Sequence, residues 1–244
     1  GAEGQILAGA IGAAWVARIG GTWPGPMLLT GMLVGAVIGG GLLALVPAMA
    51  RARIGVNEII TTLMLNEIAL RLLQWLIHGP WKDPDSYNFP LTPVLPAQAH
   101  LPTLFGRAHF GVIIAGAVIL VFGIAASRTA WGYELRVAGS SADTARYAGI
   151  SLKRKILTVL LLSGGVAGLA GGVELSGTAD RLTEGISNGF GYAGIIVAAL
   201  ALMRPSGVAA VALLFGAVQV GGQSIQIIGV PASVSTILQA FILF

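Results

Sequence analysis

Residues 164–174 read Gly-Gly-Val-Ala-Gly-Leu-Ala-Gly-Gly-Val-Glu, and they close an apolar run that begins near residue 156. Small residues at a spacing of four lie on one face of an α-helix. In a bilayer, such a face lets the backbones of neighbouring helices approach closely. The stretch therefore predicts a membrane helix that packs tightly against its neighbours.

The composition of the whole chain also indicates a membrane protein. Of its 244 residues, 55% are hydrophobic, 10% are charged and 36 are glycine, which is not the composition of a soluble domain. A membrane helix needs roughly 20 apolar residues. Apolar runs lie near residues 5–19, 27–50, 58–78, 110–127, 156–176, 188–203, 206–221 and 231–244. We predict an all-α, polytopic transmembrane helical bundle of about seven or eight segments. One or two of them are expected to be broken or re-entrant, such as the glycine-interrupted stretch Gly216–Gly222 that leads into residues 225–229.

The basic residues predict the orientation of the chain. They concentrate in residues 51–53 and 128–155, which places both loops on the cytoplasmic side. Residues 79–109 carry six prolines that exclude a regular helix, and we expect an extended external loop there. The chain begins without Met and stops inside an apolar run, so we expect one membrane domain over residues 1–244 that is truncated at both ends.

Several function classes are excluded by what the sequence lacks. The net charge of +4 is dispersed at the ends of apolar runs, which argues against nucleic-acid binding. There is no cysteine, and His78, His100 and His109 lack metal-ligand spacing. No nucleophile elbow, zinc-protease motif or phosphate-binding loop occurs. We therefore expect no catalytic residue, no metal site and no cofactor held by this chain.

Polar side chains inside the apolar runs are candidates for a solute path, because each is costly in a bilayer. Glu67 lies nine residues after Glu58, roughly 14 Å along a helix, and therefore near the midplane. It could line a path or simply pair with Arg71, four residues on. For Asn66 and Thr62, hydrogen bonding across a helix interface is the favoured interpretation.

Glu174 is the third path candidate. It ends the glycine-rich helix, and solvation near the outer surface is the simpler interpretation of its charge. Gln219, Gln223 and Gln226 are neutral, and they could either satisfy a broken backbone or line a path. The sequence leaves both alternatives open for these glutamines.

A short helix is predicted between two membrane segments, over residues 142–150. Ser140 or Ser141 provides the N-cap, and Gly149 ends the helix. Arg146 and Tyr147 are its large side chains. Such a helix suits a groove on a soluble partner, but it could equally be a loop held at lipid head groups by its charges. Composition does not separate the two.

The same region resembles a known family. Gly139–Ile150, Lys153–Lys155 and Ser163–Gly168 are similar to the coupling region of ATP-binding-cassette (ABC) importer permeases of the branched-chain amino acid and ribose type. The chain further resembles the simple-sugar and nucleoside subgroup of these permeases, in residues 1–5, 57–66, 79–84, 89–90 and 203–208. The resemblance covers nearly the whole chain.

The resemblance implies a permease subunit of the bacterial inner membrane. It would pair with a second permease, two cytoplasmic ATPases that bind ATP and Mg, and an extracytoplasmic solute-binding protein. The coupling helix that enters the ATPase groove would then comprise Ser141, Ala142, Asp143, Ala145, Arg146, Tyr147, Gly149 and Ile150. The path candidates Asn66, Glu67 and Glu174 rest on burial cost and not on a family motif.

Two other classes of function remain open at this point. One is a secondary transporter or channel for a small polar solute that needs no ATPase. The other is a structural or assembly subunit, for which glycine-rich helices with few intramembrane charges would also be suitable.

Overall fold

The computed structural model describes residues 2–106, 108–226 and 237. Over this part of the chain there are nine α-helices: α1 Glu3–Ile19, α2 Gly25–Ile54, α3 Glu58–His78, α4 Gly111–Arg128, α5 Ala130–Ser140, α6 Ala142–Tyr147, α7 Leu152–Glu174, α8 Phe190–Leu200 and α9 Pro205–Gln226. Two short antiparallel strands, β1 Thr103–Phe105 and β2 Ala108–His109, complete the regular structure. The predicted helical bundle is confirmed in its broad form.

Five stretches of the described helices are long and apolar enough to cross a membrane. They are Gly25–Ile54, Glu58–His78, Gly111–Arg128, Leu152–Ala179 and Pro205–Gly222. Helix α8 has 11 residues, roughly 16 Å of length, which is too short for a hydrocarbon core of about 30 Å. The count of seven or eight segments is therefore not confirmed, and the apolar run 231–244 lies outside the described residues except for residue 237.

The core of the bundle is formed by α1, α2 and α7, which contact one another through glycine. A Cβ atom added at Gly168 would lie 2.2 Å from the Ala36 carbonyl oxygen, and one added at Gly171 would lie 2.0 Å from the Ile6 carbonyl oxygen. From the other side, a Cβ at Gly9 would lie 2.2 Å from the oxygen of Gly168. The close backbone approach predicted from residues 164–174 is confirmed.

Helix α7 ends in an irregular turn that the sequence did not predict. Residues Leu175–Ala179 form a π-helical turn, and Asp180 follows with φ of 58°. Residues 79–109 hold this turn through hydrogen bonds. Leu101 N donates to the Ser176 oxygen at 2.8 Å, and Leu95 N donates to the Asp180 oxygen at 2.9 Å. The turn is thereby fixed at the end of α7.

The prediction of residues 79–109 as one extended loop is partly corrected. The segment contains no α-helix among its described residues, as the prolines indicate, but it includes a 3₁₀ turn at Ala97–Ala99 and the β1–β2 pair. The strands are a small departure from an all-α fold. They form because a loop folded back on itself satisfies its backbone groups by pairing them.

The expected break is wrong for Gly216–Gly222, while residues 227–229 of the same expectation lie outside the described residues. Helix α9 runs through these residues without interruption and extends to Gln226. Glycine in a helix interior costs about 1 kcal/mol relative to alanine, which weakens a helix but does not end it. Irregular backbone lies instead at the end of α7.

Candidate functional site

A cavity of about 460 Å³ lies between the end of α7, the start of α8 and the middle of α9. Each helix contributes one face, with residues spaced by three or four positions, so that the side chains converge on one volume. The lining consists of Glu174, Thr178, Asn188, Phe190, Ala193, Gly194, Val197, Ala212, Phe215, Gly216, Gln219 and Val220. The cavity is mostly apolar, with a few polar groups on its wall.

Glu174 is the charged residue on this wall, and it is half-buried. Thr178 lies four residues later and lines the same cavity, because the chain continues from α7 into the π-helical turn. Within the described ranges, Glu174 has no hydrogen bond or ion pair. The structure thus places this path candidate in a cavity wall, where its carboxylate can accept hydrogen bonds from a solute.

The start of α8 is held by a residue from the far end of the chain. The Glu3 carboxylate accepts hydrogen bonds from Gly189 N at 3.0 Å and from Gly191 N at 2.7 Å. A carboxylate at a helix N-terminus satisfies free N–H groups and interacts favourably with the helix dipole. Glu3 therefore fixes the helix end that brings Phe190 to the cavity.

Sequence reasoning did not single out Glu3. Its position in the first turn of α1 explains an acidic residue without any reference to α8. The partner is 186 residues away, and no local pattern could have identified it.

Asn66 joins three helices by hydrogen bonds. Its Oδ1 accepts from Gly4 N at 2.8 Å, and its Nδ2 donates to the Tyr192 hydroxyl at 3.4 Å. The side chain is buried, and so is that of Thr62, whose hydroxyl donates to the Ile59 carbonyl at 3.1 Å within α3. For Asn66, the predicted hydrogen bond across a helix interface is present.

Glu67 and Arg71 form the expected pair on α3. Their closest charged atoms are 4.0 Å apart, and both side chains are exposed on the side of α3 away from the core. Arg71 also donates to the Gln74 side chain at 3.0 Å. The three path candidates are therefore not brought together, since Glu67 faces outward, Asn66 lies at a helix junction and Glu174 lines the cavity.

A second candidate site is the segment formed by α5 and α6. The Ser141 hydroxyl accepts from Thr144 N at 3.2 Å, which identifies Ser141 as the N-cap of α6. Gly149 ends the segment with φ of 75°, a conformation that glycine adopts at little cost. Asp143 and Arg146 form an ion pair at 3.2 Å. The predicted short helix and its N-cap are confirmed, but the helix ends at Tyr147 and not at residue 150, with Gly149 in the turn that follows.

Helix α6 has one buried side and one exposed side. Ala145 is fully buried, and its carbonyl accepts from Ile150 N at 2.9 Å. Tyr147 is 97% exposed on the other side. An ion pair between Glu134 and Lys155 joins α5 to the start of α7. The segment is therefore anchored to α7 while Tyr147 is free to contact another molecule.

Comparison with known proteins identifies the relatives of the chain. The family described as the permease component of branched-chain amino acid transport systems matches residues 1–244. The glucose ABC transporter permease protein TsgB13 of Haloferax volcanii is 34% identical over 256 residues, which cover 100% of this chain and 67% of the relative. No solved structure matches the chain.

Two further relatives come from bacteria. The guanosine ABC transporter permease protein NupP of Bacillus subtilis is 33% identical over 252 residues, covering 100% of this chain and 71% of the relative. The nucleoside ABC transporter permease protein NupB of Lactococcus lactis subsp. cremoris is 29% identical over 254 residues, covering 100% and 70%.

Proposed function

Because the chain belongs to the family of permease components of branched-chain amino acid transport systems, we propose that it is the membrane permease subunit of an ABC importer for a nucleoside or a simple sugar. The three relatives described above are named for glucose, guanosine and nucleosides, and each is named as an ABC transporter permease protein. The proposed solutes share a sugar ring that carries adjacent hydroxyl groups.

The proposal rests on the structure of α5 and α6. A six-residue helix with a capped start, a glycine end and an exposed Tyr147 is anchored through α5 and α7. A short, anchored helix transmits a push from a soluble partner to the membrane helix on which it is fixed. We propose that Ser141–Ile150 docks into a groove on the ATPase and couples nucleotide-driven closure to the bundle.

The proposal includes the membrane topology that the sequence predicts. Residues 128–155 lie on the cytoplasmic side as the coupling region, and residues 79–109 lie outside. The transporter contains a second permease subunit, two ATPases and an extracytoplasmic solute-binding protein. ATP and Mg bind to the ATPases, and the assembly lies in the inner membrane of a bacterial cell. Residues 1–244 belong to one permease domain.

The solute path is proposed to involve Asn66, Glu67 and Glu174, in different ways. Glu174 lines the cavity. Asn66 fixes α8 through Tyr192, so its part is to position one wall. Glu67 is exposed beside Arg71, so its part in the path would be at the contact between α3 and a second permease subunit.

Uptake into vesicles tests the proposal. The complete transporter is reconstituted with radiolabelled guanosine or glucose, and with either the wild-type ATPase or one unable to hydrolyse ATP. Uptake is expected only with the active ATPase. Uptake that is indifferent to the ATPase, or uptake by the purified chain alone, would contradict the importer and favour a secondary transporter or channel.

A further inference from the structure

We infer that the cavity between α7, α8 and α9 is a solute-binding site for a neutral, hydroxyl-bearing ring, in which Glu174 accepts hydrogen bonds from adjacent hydroxyl groups. This inference rests on the proposed function, since it describes what the imported solute contacts inside the permease. It adds a binding geometry and a rule of selectivity, neither of which follows from membership of the family.

Glu174 is positioned to receive hydrogen bonds from a solute. Its carboxylate is half-buried in the cavity wall, and the described part of the chain supplies it with no donor. Such a group is costly in a bilayer and is compensated when donors reach it. Two adjacent hydroxyls on a sugar ring present two donors to its two oxygens. The Thr178 hydroxyl, 3.5 Å from His109 Nε2, lies on the same wall.

The charge of the cavity lining distinguishes neutral from anionic solutes. Glu174 is the one ionisable side chain among the described residues of the lining. The nearby N-terminus of α8, which would otherwise attract an anion, is occupied by the Glu3 carboxylate at 2.7 and 3.0 Å. An anionic solute would meet the like charge of Glu174 and, among the described lining residues, no cationic side chain, so the cavity selects against phosphorylated sugars and nucleotides.

The shape of the cavity suits a ring-shaped solute. Phe190 and Phe215 lie on the wall with Gly194 and Gly216, and a Cβ at either glycine would meet no described atom within 4 Å. The glycines leave space, and the aromatic rings provide an apolar surface for the face of a planar or cyclic solute. A volume of about 460 Å³ is within the usual range for small-molecule sites.

Competition experiments on the complete transporter test the inference. ATP-driven uptake of labelled guanosine is measured with unlabelled guanosine, 2′,3′-dideoxyguanosine or guanosine monophosphate as competitor; for glucose uptake the competitors are glucose, 2-deoxyglucose and glucose 6-phosphate. In the wild type, the parent compound should compete at least tenfold better than the deoxy form, and the phosphate should not compete.

The decisive variant is Glu174→Gln, which keeps the size of the side chain and removes the charge. We expect about a tenfold rise in KM and loss of most of the preference for the hydroxylated competitor. Glu184→Gln, an exposed change ten residues away, is the matched control and should behave as the wild type. Thr178→Val provides a second, milder change on the same wall, with a smaller loss of the same preference.

The two hypotheses fail in different ways. If uptake needs the active ATPase but both Glu174→Gln and Thr178→Val keep the wild-type preference, the inference is overturned and the importer stands. If neither solute is taken up in an ATP-dependent way, the proposed function is wrong and the inference falls with it. Loss of selectivity with retained ATP dependence supports both.

Discussion

Two glycines of α7, Gly168 and Gly171, differ in their surroundings from Gly194 of α8 and Gly216 of α9. A Cβ added at Gly168 or Gly171 would lie 2.2 or 2.0 Å from a neighbouring carbonyl oxygen. A Cβ added at Gly194 or Gly216 would meet no described atom within 4 Å, and both glycines line the cavity. Gly168 and Gly171 therefore allow close helix packing, whereas Gly194 and Gly216 leave the cavity unfilled.

The largest effect is expected at the packed glycines. Gly168→Leu would force a side chain into the backbone of α2, where the Ala36 oxygen leaves only 2.2 Å even for a Cβ. Overpacking of this kind costs about 1–3 kcal/mol or more, so we expect little folded protein. Size-exclusion chromatography and thermal unfolding in detergent measure this. The control is Gly116→Leu in α4, where the added atoms have open space; similar losses for both variants would contradict the distinction.

The next effect separates folding from transport. Gly216→Leu extends a side chain into the cavity without a backbone clash, so the unfolding temperature should stay near that of the wild type while solute uptake falls by most of its value. Uptake into vesicles and thermal unfolding are measured on the same preparation. Wild-type uptake by a folded Gly216→Leu protein would show that this space is not used by the solute.

A third experiment separates backbone contacts from side-chain contacts between α7 and α2. A Cβ at Gly172 would lie 2.5 Å from the Ala36 Cβ, whereas a Cβ at Gly168 would meet the Ala36 backbone oxygen. Ala36→Gly removes the first obstacle but not the second. We therefore expect it to restore part of the stability lost in Gly172→Ala, with a coupling free energy of about 1 kcal/mol, and little of that lost in Gly168→Ala.

The unfolding free energies of the single and double variants measure this coupling. Equal rescue of Gly168→Ala and Gly172→Ala would mean that α2 shifts as a whole. The distinction between backbone and side-chain contact would then be lost.

A modest effect on stability is expected at a third kind of glycine. Gly149 has open space around it but φ of 75°, so alanine there costs roughly 1–2 kcal/mol through backbone conformation. Gly149→Ala should insert and fold, yet reduce ATPase stimulation and uptake together because the end of α6 is altered. Gly139→Ala in α5 adds the same methyl group to ordinary helical backbone and serves as the control. If Gly149→Ala keeps wild-type ATPase stimulation and uptake, the end of α6 has no part in the proposed coupling.

Local patterns predicted the features that depend on neighbours in the sequence. The N-cap Ser141, the terminating Gly149 and the glycine face of α7 are all correct, because capping and helix periodicity are local. The break expected at Gly216–Gly222 is wrong, since the glycines there weaken a helix that continues to Gln226. The π-helical turn after Glu174 has no comparable sequence signal.

The candidate site was predictable only in part. The cost of burying charge marked Glu174, and this residue does line a cavity. The same argument marked Glu67, which lies exposed beside Arg71. Burial cost identifies a polar residue within an apolar run, but it does not show which side of the helix the residue faces in the assembled bundle.

By itself, the sequence determined that this is a membrane protein built of helices, where several of them lie, and that a short capped helix interrupts them. These follow from composition, run length and local hydrogen bonding. Only the tertiary structure decided that Glu3 holds the start of α8, that Asn66 joins α1, α3 and α8, and that three helix faces enclose a cavity at Glu174. The reason is distance along the chain: these contacts join residues 62 to 188 positions apart, and packing alone brings them together.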